Sequence, residues 1–518
     1  MSRVVVIGAG VGGLAAAIRL AAAGHDVEVH ERNATPGGKL AVRERDGFRF
    51  DTGPSLLTLP QVFTDLADLE LIPLEPVVRH VFPDGTILDS SSDHELFLHR
   101  IADAMGAEAA ADWHRFWQRA SRIWRASWRS VLQHPVTPAT LAGLSWRIPD
   151  LLAIAPGRTL RHLGRHYLRD PRLRMLLDRY ATYTGTDPRR APAALAAIPY
   201  AELAYGGWYL PGGLGTLTTA LVTRCTALGV RLILNSEAVA IESAAGLATG
   251  VRVRPRTETP EDGRPTSPPR QGGPHNGTRL GGAPAGNSAR PQRKTGSLVP
   301  ADIVVSDVDA LTLYRDLLPT PSRLAALTDR SLAGFVLLLA VRGETPQLAH
   351  HNVFFPPYYD AEFDAIFGSP TRRARPADDP TIFITRATDP AVHPPGHEAW
   401  FVLVNAPRQG TTWSATDWHR PGLPESYATH ILNVLAHRGL DIRDRIQFLE
   451  TRTPADLATS TATPGGAIYG TTGTLLRPPN QGPLPNLYLV GGSVHPGGGL
   501  PMVTLSAQIT AARIGPAT

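Results

Sequence analysis

Cysteine is almost missing from this 518-residue chain. Cys225 stands alone, which excludes an intramolecular disulfide and any zinc or iron–sulfur site built from several thiolates. Lysine is nearly as scarce. Lys39 and Lys294 are the only two, so almost every cation is an arginine. The arginines are scattered and the formal net charge is only +5, so no basic stripe argues for nucleic acid. No stretch reaches the ~18 uninterrupted apolar residues that a spanning helix needs. The best buried run, GFVLLLAV at 334–341, has strand length. With 42% hydrophobic and 19% charged residues the chain should fold, with room for roughly two to four domains at about 150 residues each.

Glycine, by contrast, is plentiful, and it gathers at two turns. RVVVIGAGVGGLAAAIRLAAAG (3–24) reads as a buried strand, a turn and a helix stopped by Gly24, and DVEVHE then forms a second strand ending at Glu31. The stretch does not read as a targeting signal, because glycines and Arg19 interrupt it and a strand follows at once. Gly8 permits the tight turn, Gly10 lets a pyrophosphate approach the backbone, and Gly13 lets helix lie close to strand. Ala9 and Gly12 lie within the same turn. The helix N-terminus offers free N–H groups to phosphate, and Glu31 stands where an acid can accept hydrogen bonds from ribose hydroxyls. The second turn lies in NLYLVGGSVHPGGGLPMVTLSAQITAA (486–512), again strand, loop and helix, with Pro501 at the helix start. An extended dinucleotide offers a reason for two such turns. One would hold its pyrophosphate, and a remote one would hold the ring at its other end.

The residues after Glu31 narrow the choice. RNATPGGKL and GFRFDTGPSLL (47–57) resemble the FAD-binding amine oxidase and carotenoid desaturase superfamily. By that resemblance Arg32, Gly38 and Lys39 join the cofactor site, and Gly53, Pro54 and Ser55 approach the flavin. Further along stand GGWYLPGGLGTLTTAL (206–221), LILNSEAVAIE (232–242), ADIVVSDVDALTLYRDLL (301–318), LAHHNVFF (348–355) and TRTPADL (451–457). With these the chain resembles the bacterial phytoene desaturase family of carotenoid biosynthesis. The resemblance implies that Val239 meets the adenine end and that Gly492, Pro501, Met502 and Val503 line the flavin. RHVFPDGTILD (79–89) and DPRLRMLLDRYATYTG (170–185) look most like the branch that desaturates hydroxylated or methoxylated carotenoids at the 3,4-position. Phytoene desaturase itself, a flavin-dependent carotenoid isomerase and a non-catalytic prenyl carrier stay open as alternatives.

The chemistry implied is desaturation of a CH–CH unit beside a polyene, with hydride passing to flavin N5 and oxygen or a quinone as final acceptor. A polyene spreads cationic charge, so a weak base suffices for the proton and no catalytic dyad is evident. His495 is the one ionisable residue nominated in the closing loop, with a loop-holding hydrogen bond as the plainer role. His350 and His351 lack further ligands at metal spacing, so no metal is expected. A carotenoid is best transferred directly from lipid, so the protein is expected in the cytoplasm, peripherally on a membrane. In WHRFWQRASRIWRASWRSVL (113–132) four tryptophans, Trp113, Trp117, Trp124 and Trp128, share one helical face. That face fits either an interfacial helix or a stripe packed into a lid.

The fold class expected is α/β. A discontinuous Rossmann-like FAD domain of glutathione-reductase and amine-oxidase type takes residues 1–75, 212–325 and 470–518. A mixed-sheet substrate domain takes 76–93 and 326–469, and a helical lid takes 94–211. Residues 255–298, rich in Pro, Gly, Ser and Arg, read as a mobile surface insertion between the strands VRVRP and ADIVV.

Overall fold

RVVVI carries β-branched side chains on both faces, and a strand of that kind is stable only when both faces are covered. In the computed structural model, which describes residues 1–137, 148–256, 295–318, 327–472 and 477–517, this strand is Arg3–Ile7 and four of its five residues are buried. It lies in the middle of a five-stranded parallel sheet. The order across the sheet is Leu487–Leu489, Ile303–Ser306, Arg3–Ile7, Asp26–His30 and Arg231–Ile233. The chain therefore leaves Arg3–Ile7 on one side and later returns on the other, which makes its C-terminal end a topological switch point, where such sheets bind ligands. The opening helix Val11–Ala22 and the closing helix Leu500–Ile514 pack against each other, so the two Gly-rich turns meet on one edge of the sheet.

Residues 257–294, most of the expected insertion, lie outside the described residues. Its flanks differ from expectation. Ser297–Pro300 is a strand that pairs antiparallel with Leu247–Pro255, Val253 facing Ser297, and Ser236–Ala244 completes this three-stranded sheet. Ser297 and Leu298 thus belong to a strand, and only after it does the chain enter Ile303–Ser306.

A mixed seven-stranded sheet forms the second body. Its order is Ile446–Arg452, Ala333–Arg342, His397–Ala406, Ile382–Arg386, His351–Phe354, Arg79–Val81 and Ile87–Asp89. All neighbours are antiparallel except His351–Phe354 with Arg79–Val81. The run GFVLLLAV is apolar throughout because Ala333–Arg342 is covered on both faces. One face meets Ile431 and Leu435 of the helix Leu423–His437; the other meets Phe48 and Phe50.

A group of helices forms a third part, the longest among the described residues being Ala107–Ser127. It settles the two readings of the tryptophan face. Trp113 is 0% exposed, edge-on to Phe97, and Trp124 is 5% exposed. Trp117 stacks on His94 at 4.6 Å and meets Tyr200 at 4.5 Å, while Trp128 begins a wider π-helical turn to Leu132. The stripe packs inward. The intervening arginines hold neighbours instead: Arg119 donates to the Ala153 carbonyl at 2.6 Å and Arg129 pairs with Asp150 at 2.6 Å. Trp113→Ala should therefore destabilise the protein by about 3–5 kcal/mol, as aromatic truncation in a core does, read as a lowered thermal midpoint.

Candidate functional site

The opening turn is shaped by overlaps that only glycine avoids. Gly8 has φ +97°, and a Cβ on Gly13 would overlap the Gly8 carbonyl oxygen. The N-cap residue Gly10 has no side chain to cap the helix that follows, and of the N–H groups in its first turn that of Gly13 is taken by Asp307. Glu31 is buried beneath the turn. Its Oε2 accepts the Ala9 N–H at 2.8 Å and its Oε1 accepts the Asn33 N–H at 2.9 Å. The carboxylate thus braces the turn itself and still lines the cavity with its remaining lone pairs. Arg32 stands beside it with a buried Nε that has no hydrogen-bond partner among the described residues. Burial, and then the charge of Arg256, lowers the pKa of Arg32. An unpartnered buried donor of this kind fits an electron-rich ligand.

The two Gly-rich turns, far apart along the chain, are neighbours in space. A Cβ on Gly12 would sit 3.1 Å from both Gly491 Cα and Val503 Cγ1. The reason is topological: both strands end on one edge of one sheet. Between the turns stands Asp307, which the sequence reading passed over although it follows the strand of ADIVVS directly. Its Oδ2 accepts the Gly13 N–H at 2.9 Å, and a Cβ on Gly10 or Gly491 would overlap its carboxylate. Burial pushes Asp307 up to about 7; the Gly13 N–H opposes this, Glu31 adds to it and Lys39 opposes it.

Lys39 crosses the cavity to donate to the carbonyls of Ala467 at 3.2 Å and Ile468 at 2.6 Å, and burial lowers its pKa to about 8. A Cβ on Gly53 would overlap the Lys39 carbonyl, so the DTGP turn lies directly against the Gly38–Lys39 turn. Ser55 is fixed by His351, whose Nε2 donates to its carbonyl at 3.1 Å, and by the Thr385 hydroxyl at 2.9 Å. His351 therefore holds a turn, and burial lowers its pKa to about 4. His495 is likewise a tether. Its Nε2 faces the carbonyls of Val131 at 3.1 Å and His134 at 2.9 Å, and burial lowers its pKa.

These parts open into one cavity of about 2780 Å³. That is nearly three times the ~1,000 Å³ upper range of a single-ligand pocket. Gly8, Gly10, Gly12, Glu31, Arg32, Gly38, Lys39, Gly53, Pro54, Ser55, Val239, Gly492, Pro501 and Val503 all line it. The N–H groups of Ala9 and Gly13 are taken by Glu31 and Asp307, and Met502, within the closing helix, packs against the core. Pro501 occupies the second helical position, because the helix starts at Leu500. From the turns the cavity runs on to the mixed sheet, where Val336, Phe383, Phe401 and Leu403 form an apolar wall. Glycine cradles, a helix start without an N-cap side chain, a half-buried arginine with an unpartnered Nε and this volume fit an extended dinucleotide with space for a second long ligand.

Residues 6–69 match the family described as NAD(P)-binding Rossmann-like domain. Among curated proteins, the chain is 32% identical to a 4,4'-diapolycopene oxygenase of Methylomonas sp, over 99% of this chain and 98% of that protein. It is 29% identical to a 1-hydroxycarotenoid 3,4-desaturase of Flavobacterium sp., covering 99% and 98%. With a hydroxyneurosporene desaturase of Cereibacter sphaeroides the identity is 32%, covering 99% and 97%. Among solved structures, an oxidoreductase from Methanosarcina mazei superposes with TM-score 0.59 at 18% identity, over 98% of this chain and 99% of that one. A putrescine oxidase superposes with TM-score 0.58 at 14% identity, over 99% and 98%. At those identities the solved structures speak for the fold alone.

Proposed function

This chain belongs to the carotenoid desaturase and oxygenase family, and from that premise we propose that it is an FAD-dependent desaturase of a hydroxylated carotenoid, acting at the 3,4-position. One observation carries the reading: the glycine-lined edge of the parallel sheet and the apolar wall of the mixed sheet share a single cavity. A dinucleotide on the first and a polyene along the second would meet end to side. FAD, when bound, supplies the two-electron oxidant for a CH–CH unit beside a polyene.

The chain's own residues bind, orient and keep the site dry. Gly10 and Gly12 present backbone N–H groups to the pyrophosphate, with Gly8, whose own N–H goes to the His30 carbonyl, and Ala9 and Gly13 shaping the turn. Glu31, Arg32 and Val239 hold the adenosine end. Gly38, Lys39, Gly53, Pro54, Ser55, Gly492, Pro501 and Val503 enclose the other end, backed by Met502. The Lys39 ammonium is aimed by the Ala467 and Ile468 carbonyls and can donate a third hydrogen bond toward the ligand. In this division residues 1–75, 212–325 and 470–518 serve the cofactor, 76–93 and 326–469 the substrate, and 94–211 cover both.

Substrate delivery belongs to the same proposal. At ~0.8 kcal/mol per buried CH₂, a carotenoid crossing water would cost on the order of 25 kcal/mol. Loading from a lipid surface by a peripherally bound protein avoids most of that. Among the described residues no helix is long and apolar enough to cross a membrane, so contact rather than insertion is proposed. The final electron acceptor in this reading is oxygen or a quinone.

The test is purified protein loaded with FAD and given a 1-hydroxylated acyclic carotenoid in phosphatidylcholine vesicles, with products weighed by mass spectrometry. Loss of two hydrogens per new double bond is the expected result. A product heavier by one oxygen would move the chain to the oxygenase reading, which the Methylomonas relative favours. A product of unchanged mass would make it an isomerase.

A further inference from the structure

The apolar part of the cavity has one polar corner that cofactor binding does not use. Arg179, at the end of the helix Pro171–Arg179, lines the cavity yet is only 7% exposed. Its hydrogen-bond partner is a phenol rather than a carboxylate: Nη1 donates to the Tyr183 hydroxyl at 3.1 Å. The guanidinium also lies 5.1 Å from the Tyr183 ring centroid and 5.7 Å from that of Phe383. The Tyr183 hydroxyl donates to Glu202 Oε2 at 2.7 Å, and the Tyr180 hydroxyl donates to Oε1 at 2.7 Å. Both oxygens of that buried carboxylate are thereby occupied. Glu202 balances the arginine's charge through Tyr183, and Arg179 itself lines the cavity.

Tyr359 lines the same cavity, is 7% exposed, and its hydroxyl has no hydrogen-bond partner among the described residues. The Arg179 charge reaches this hydroxyl, and against a pure hydrocarbon the buried hydroxyl stays without a partner, which is costly.

We infer that Arg179 and Tyr359 form a subsite for an uncharged oxygen on the polyene (alcohol, ether or aldehyde), and that this pair sets the preference for oxygenated over hydrocarbon substrates. The inference rests on the function proposed above and adds the residues that select the substrate. Arginine has donors only, so the ligand must present a lone pair; Tyr359 can donate to it or accept from it. A carboxylate would add a negative charge to a corner that Glu202 already balances. Sites built to hydrogen-bond a hydroxyl discriminate strongly against analogues lacking it, because their buried polar groups are then left unpaired.

The experiment compares kcat/KM for a 1-hydroxylated acyclic polyene, the hydrocarbon of equal length and the polyene terminal carboxylate. All are supplied in phosphatidylcholine vesicles to FAD-loaded wild type, Tyr359→Phe and Arg179→Met. Wild type should favour the hydroxylated substrate by about 100-fold or more over the hydrocarbon. Tyr359→Phe should shrink that ratio about tenfold. Arg179→Met should shrink it further, with the loss in KM more than in kcat. Tyr359→Phe removes one unpartnered atom and should fold with full FAD content, so it carries the test should Arg179→Met fail to fold. A ratio unaltered in Tyr359→Phe, or a preference for the carboxylate, overturns the proposal while desaturation itself stands. If wild type oxidises none of the polyenes, the reading of function is lost and this proposal with it.

Discussion

Gly13→Val should emerge from purification without its yellow cofactor, with FAD affinity lowered at least ~100-fold, about 2.7 kcal/mol. The expectation follows from a backbone overlap. A Cβ at Gly13 would meet the carbonyl oxygen of Gly8, and neither atom belongs to a flexible side chain. The strand and the helix must move apart, the turn opens, and the helix N–H groups no longer converge on a phosphate. Overpacking alone costs ~1–3 kcal/mol, so part of the effect should also appear as a lowered thermal midpoint. Flavin absorbance per protein and titration calorimetry with FAD measure the two separately. A variant that keeps one FAD per chain at wild-type affinity would remove the opening turn from the cofactor site.

Asp307 should make FAD binding depend on pH in a direction unusual for a phosphate site. Burial is the main reason that its carboxyl titrates at about 7 rather than near 3.8. Below that value it is neutral and can share the turn with a pyrophosphate. Above it, a second negative charge stands between the two Gly-rich turns. Affinity should therefore be highest at acid pH and fall as pH rises through 7, by up to about tenfold per unit. Asp307→Asn should flatten the dependence and bind more tightly than wild type at pH 8. The cofactor-free protein has a matching signature. Between pH 3.8 and about 7 the folded state keeps a proton that the unfolded chain has lost, so this group's contribution to stability declines across that window. Identical pH profiles for wild type and Asp307→Asn would show that Asp307 stays clear of the pyrophosphate.

Much of the cofactor edge was legible because it is written in local geometry. The overlap that demands Gly13 is with Gly8, five residues away, and a motif read along the chain captures it. Glu31 too was found from its place at the end of the second strand, although its oxygens turn out to brace Ala9 and Asn33. The tryptophan helix marks where local reading stops. Spacing put Trp113, Trp117, Trp124 and Trp128 on one face, but a period carries no information about what that face meets. Phe97, His94 and Tyr200 meet it, and they come from other helices.

The sequence alone determined the parallel strand–turn–helix units, the dinucleotide-type turn and the family, since strand burial, glycine sterics and helix stops depend on neighbours a few residues apart. Tertiary structure decided the rest. It set the two Gly-rich turns side by side, placed Asp307 between them, made His495 a tether, and brought Arg179 and Tyr359 to the lining of one cavity. Those facts depend on sheet order and on buried groups finding partners hundreds of residues away, and no periodicity in the chain records either.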